Sequence, residues 1–139
     1  MTKTLEELLP HRPPFRFLDR LVEARKDGCV GEYTFPADAY FFKGHFPGFP
    51  VVPGVLLIEA MAQCGGAGVV ESDLAHSKTI LLGTVSNAKF RRPVRPGETI
   101  RFEIEYLKTT ARLLRQRGKA YVGAEIAAEA EWVCLMGRD

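Results

Sequence analysis

Apolar side chains run almost unbroken from Val51 to Val70, and the only strongly polar side chains among them are Glu59 and Gln63. A run this long exceeds a strand. Its apolar character on every side predicts a buried helix from about Gly54 to Val70, with Pro53 suited to the first turn. Gly65, Gly66 and Gly68 either weaken its last turns or allow close packing. Elsewhere the apolar positions alternate or cluster over short spans. Phe15 to Ala24 and Cys29 to Phe35, joined by Lys26-Asp27-Gly28, read as a hairpin. Ile80 to Val85, Thr99 to Leu107, Leu113 to Val122 and Ile126 to Leu135 read as further strands. Near the start, Thr4 caps a short helix carrying Leu5, Leu8 and Leu9, which Pro10 stops. The stretch from Ala37 to Pro53 is irregular and aromatic, with Tyr40, Phe41 and Phe42 leading to His45. No linker, repeat or low-complexity segment interrupts the pattern, so residues 1–139 are expected to form a single domain. One long apolar helix and several antiparallel strands predict an α+β fold whose sheet wraps the helix on its concave side. An edge strand left open in a monomer predicts pairing across a two-fold axis.

Composition narrows the class without deciding it. With 139 residues, 46% of them hydrophobic, the chain can bury a substantial core. A formal net charge of +2 gives no reason to expect a nucleic-acid partner. The three cysteines, Cys29, Cys64 and Cys134, have neither metal nor redox spacing and are expected to be buried, reduced thiols of a cytoplasmic protein. The N-terminus lacks the apolar core of a signal peptide, and the oily segment, interrupted by Glu59 and Gln63, is expected to be too short to span a membrane.

Candidate chemistry lies where the aromatic stretch meets the helix. From Gly44 to Gln63 the only ionisable side chains are His45 and Glu59. A histidine can take a proton near neutral pH, and burial of a carboxyl favours its protonated form, so the pair could act as base and acid. The free amides at the Gly54 end of the helix could polarise a carbonyl oxygen. The same residue types also fit a hydrogen-bonded structural histidine and a glutamate that satisfies a backbone donor.

The order of the residues bears on that choice. Gly44-His45-Phe46-Pro47-Gly48, then Pro53-Gly54-Val55, Glu59-Ala60 and Ala62-Gln63, resembles the signature of the β-hydroxyacyl-acyl carrier protein dehydratases of type II fatty acid synthesis. Leu9-Pro10-His11-Arg12-Pro13-Pro14-Phe15 is similar to that family's opening. Asn87-Ala88-Lys89-Phe90-Arg91-Arg92-Pro93-Val94 with Pro96-Gly97, and Ala128-Glu129-Ala130-Glu131, are similar to later landmarks. Several ordered landmarks are far more specific than one short motif.

The resemblance implies the hot dog fold and a reversible elimination with neither metal nor organic cofactor. His45 would abstract the α-proton of the thioester and Glu59 would handle the departing hydroxyl. Gly54 and Val55 would polarise the thioester carbonyl, Gln63 would orient the carboxylate, and Phe46 would join them as a substrate-binding residue. Glu rather than Asp at position 59 points to the branch that does not isomerise the double bond. The partner would be acyl carrier protein bearing the substrate on phosphopantetheine. The family is built as homodimers, often trimers of dimers, with His and Glu of one site drawn from two subunits.

Basic residues dominate from Lys89 to Lys119. Solvated strand faces explain them as readily as a docking surface for an acidic carrier. Lys89, Arg91, Arg92 and Arg95, in the matched landmark, are the docking candidates. His11 and Arg12 are read as anchors of the N-terminal segment, His76 as exposed, and Trp132 as core or tunnel wall. Phe49 and the segment from Ala111 to Lys119 depart from the family pattern. Alternatives of other classes are a relative acting on coenzyme A esters or in a specialised, polyketide-like pathway, a hot dog thioesterase, and a non-catalytic acyl-binding subunit.

Overall fold

The computed structural model describes residues 1–76 and 79–137. In chain order it forms α1 (Leu5–Leu8), β1 (Arg20–Ala24), β2 (Gly28–Thr34), α2 (Gly54–Glu71), β3 (Thr79–Phe90), β4 (Thr99–Thr109), β5 (Leu113–Val122) and β6 (Glu125–Gly137), with a 3-10 turn at Tyr40–Lys43. The strands make one antiparallel sheet in the order β1-β2-β4-β5-β6-β3. The helix α2 touches all six of them.

Period-two alternation explains this arrangement. Ile100, Phe102 and Ile104 of β4, Leu114 and Ala120 of β5, and Ala128, Ala130, Trp132, Cys134 and Met136 of β6 are buried. Their neighbours Arg101, Glu103, Glu105, Arg115, Arg117 and Lys119 lie on the exposed outer face. One row therefore forms the bed for α2, and the other is solvated. Between Leu57 and Val70 every residue of α2 except Glu59 is buried. The helix is 18 residues long and apolar enough to cross a membrane, against the sequence expectation that it is too short. In this fold the sheet takes up that apolar surface.

Two strands differ from their sequence boundaries for identifiable reasons. The first begins at Arg20 because the backbone before it bonds elsewhere: Phe17 N–H donates to the Gln63 side chain at 2.8 Å. The strand β3 continues past Val85 to Phe90, and residues 81–90 are exposed throughout. A strand open on both faces has no burial alternation to read. Its register shifts between Ser86 and Lys89, where Asn87 has φ 52°, as expected of a bulge.

Close packing accounts for the glycines late in α2. A Cβ on Gly65 would strike the Gln116 side-chain amide. Gln116 is fully buried, donates through Nε2 to Gly65 O at 3.2 Å and accepts from Trp132 Nε1–H at 3.2 Å. Trp132 is thus core. Replacing Gly65 with Ala raises intrinsic helix propensity by ~1 kcal/mol, but it should destabilise the fold by ~1–3 kcal/mol through overpacking and disruption of this pair. Urea denaturation would show a lower midpoint; an equal or higher one would contradict the packing argument. The three cysteines are free and buried, with Cys29 and Cys64 Sγ atoms 3.9 Å apart.

Candidate active site

Glu59 sits on the second turn of α2, flanked by residues that face the core. Its side chain is 21% exposed, less enclosed than the apolar run suggests. Four residues on, Gln63 lies on the same helix face and is 1% exposed. Phe17 N–H can only donate, so Gln63 Oε1 faces it, and Gln63 Nε2 is left to donate to Phe15 O at 3.0 Å and Glu59 Oε2 at 2.9 Å. The amide orientation is thereby determined, and with it the carboxylate oxygen it holds.

His45 follows the 3-10 turn and opens a loop that closes on itself. Phe46 and Phe49 exchange backbone bonds of 3.0 and 2.9 Å, and Val51 N–H donates to His45 O at 3.0 Å. The Nδ1 atom of His45 lies 2.9 Å from Val51 O. A carbonyl only accepts, so the neutral ring carries its proton on Nδ1 and leaves Nε2 as a lone pair, the form required of a base. Phe46 stacks on the imidazole with centroids 4.1 Å apart, and the residue is 49% exposed.

The N-terminus of α2 is capped by Pro53, without a side-chain bond to its amides. Leu56 N–H returns to Pro53 O at 2.9 Å, so the Gly54 and Val55 amides precede the first backbone bond of the helix. Before them lies a hollow of about 510 Å3 lined by Gly54, Val55, Phe90, Arg91 and neighbouring residues. A Cβ on Gly54 would come within 2.9 Å of the Phe90 ring, so glycine permits that ring to approach the helix end. Unpaired amides at the positive end of a helix suit a carbonyl oxygen gaining charge.

Within one chain the structure joins Glu59 to Gln63 but does not join it to His45. No ion pair or hydrogen bond links these two residues among the described residues. His11, read from sequence as an anchor, instead places Nε2 3.6 Å from Glu59 Oε2. The contact joins segments far apart in sequence, and local pattern carries no signal for it. Anchoring falls to Arg12, whose guanidinium donates to Leu9 O at 2.7 Å, His11 O at 2.9 Å and Glu6 O at 3.2 Å. His76 is exposed, as expected.

The basic stretch is more neutral than its composition. Arg91 pairs with Glu129 at 3.0 Å, and Arg92 makes a two-pronged pair with Glu98 at 3.0 and 2.9 Å. Arg101 pairs with Glu103, and Arg117 with Glu105. Lys89 and Arg95 form no ion pair among the described residues; the Arg95 guanidinium lies 4.8 Å from the centroid of Phe49. Of the four docking candidates, these two thus remain without a carboxylate partner.

Comparison with known proteins was consistent across sequence and fold. Residues 9–131 match the family model for the FabA-like domain. The chain is 42% identical over 135 residues to the 3-hydroxyacyl-acyl-carrier-protein dehydratase FabZ of Desulforamulus reducens, covering 96% of this chain and 95% of that one. It is 44% identical over 129 residues to the FabZ of Pelotomaculum thermopropionicum, covering 91% of each. Among solved structures, the dehydratase heterocomplex ApeI:P from Xenorhabdus doucetiae superposes with a TM-score of 0.85 at 16% identity, over 100% of this chain and 94% of that one. A putative thioesterase from Ralstonia eutropha gives 0.62 at 18% identity, over 84% and 83%. These neighbours share the hot dog arrangement of sheet and helix expected from the sequence.

Proposed function

The chain belongs to the family of FabA-like domains, and from that premise we propose that it dehydrates 3-hydroxyacyl-acyl carrier protein to the trans-2-enoyl thioester in fatty acid biosynthesis. The observation that carries this reading is the Glu59–Gln63 pair on α2, close to the free amides of Gly54 and Val55, in a chain about 40% identical to FabZ enzymes along nearly its whole length. The thioester oxygen would lie before those amides. Nε2 of His45 takes the α-proton, the electron pair forms the double bond, the Cβ–O bond breaks, and Glu59 protonates the departing oxygen to give water. These steps require neither metal nor organic cofactor.

A complete site requires two chains in this reading. Among the described residues no hydrogen bond or ion pair joins His45 to Glu59 within one chain, and β3 ends the sheet with an open edge bearing the exposed apolar side chains Leu81, Val85 and Phe90. Antiparallel pairing of β3 with its copy would cover that edge and bring His45 of one protomer to Glu59 of the other. Lys89 and Arg95 are the carrier-docking residues of this reading, and a cytoplasmic homo-oligomer is its setting.

Incubation with 3-hydroxyacyl-carrier protein should yield the enoyl thioester and water. Arg95→Glu and Lys89→Glu should raise KM for that substrate more than for the matching pantetheine thioester. Release of free acid without enoyl thioester would replace dehydration by hydrolysis, and equal effects on both substrates would remove the docking assignment.

A further inference from the structure

Two groups approach the same oxygen of Glu59. Gln63 Nε2–H donates to Oε2 at 2.9 Å, and His11 Nε2 stands 3.6 Å from it. The latter separation is a contact between charge and dipole rather than a hydrogen bond, and such contacts commonly tighten when substrate is bound. The other ring nitrogen of His11, Nδ1, is buried and has no hydrogen-bond partner among the described residues.

That asymmetry determines the tautomer. With its proton on Nδ1, the ring would bury an unsatisfied donor and turn a lone pair toward a carboxylate. With its proton on Nε2, a donor faces the acceptor and only a lone pair is left unpartnered. Burial pulls the ring below the ordinary histidine pKa, opposed by Glu59 and assisted by Arg12. The neutral form is therefore favoured near neutral pH. The side chain is not needed to anchor its segment, which Arg12 and Gln63 already hold.

We propose, resting on the reading of Glu59 as the acid, that His11 is a positioning residue for dehydration. Its Nε2–H and the Gln63 amide keep Oε2 as an acceptor, so the transferable proton resides on Oε1, which no described residue binds. A free carboxylic acid can carry its proton on either oxygen. Here one of the two is committed before substrate arrives, which removes an unproductive arrangement from the ground state.

The wild-type enzyme provides the first test. The chain has three histidines, which makes 15N NMR assignment tractable. His11 should appear as the Nε2–H tautomer and His45 as the Nδ1–H tautomer; an Nδ1–H signal for His11 overturns the proposal. In kinetics, His11→Phe should lower kcat by ~10- to 100-fold with KM and melting temperature little changed. His11→Gln, which restores an N–H donor, should recover most of that loss. Unchanged kcat in His11→Phe, or a loss shared by melting temperature and not rescued by Gln, overturns it too. Glu59→Gln separates the two levels: wild-type activity in that variant rejects the acid assignment itself, whereas inactive Glu59→Gln with unaffected His11→Phe rejects only the role of His11.

Discussion

Glu59→Gln should lower kcat for dehydration by ~10²- to 10⁴-fold with little change in KM or thermal stability. The substitution preserves size and a carbonyl oxygen that can still accept from Gln63 Nε2, now 2.9 Å from Oε2. On the proposed reading it removes the proton that the departing hydroxyl needs. Hydroxide is a poor leaving group, and the barrier rises by whatever partial protonation had supplied in the transition state. Single-turnover kinetics with carrier-bound substrate, alongside circular dichroism and a melting curve, would measure this. A variant that folds and turns over at the wild-type rate would assign the acid elsewhere.

A second large effect comes from distributing the damage over two chains. On the proposed reading, in which two chains share each site, His45→Ala and Glu59→Gln homodimers should each be nearly inactive, whereas refolding equal amounts together should recover about a quarter of wild-type activity, because half the dimers are mixed and one of their two sites is intact. The figure follows from geometry: a mixed dimer carries both lesions in one site and neither in the other. If His45 and Glu59 of the same chain worked together, every site would keep one lesion and mixing would restore nothing. The intrachain arrangement favours recovery, since Glu59 contacts Gln63 and His11 rather than His45.

The legibility of the sequence follows the range of the interactions. The helix beginning at Gly54 was readable because its apolar run is local, and the structure extends it only to Glu71. The inner faces of β4 to β6 were readable because alternate residues meet the same core. The end of β3, from Ser86 to Phe90, was not, because exposure on both faces leaves no burial alternation there. At the site, His45, Glu59 and Gln63 stood out through an ordered motif. His11 lay in an ordered landmark as well, but its contact with Glu59 was not legible, since it depends on how the opening segment folds across α2. Composition overstated the charge: between Lys89 and Lys119, Arg91, Arg92, Arg101 and Arg117 are paired with Glu129, Glu98, Glu103 and Glu105, which tempers the field without removing it.

Gln63 also sets a limit on how this chain can change length. Its side chain accepts from Phe17 N–H and donates to Phe15 O, so a proline-rich segment that looks like a surface connection is stitched to the middle of the helix. An inserted or deleted residue between Phe15 and Phe17 would shift one tie relative to the other and leave a buried amide unsatisfied beside the carboxylate. In this protein that stretch has the insertion tolerance of a core strand, and length variation belongs instead at the exposed β5–β6 turn around Gly123, whose positive φ of 59° faces open space.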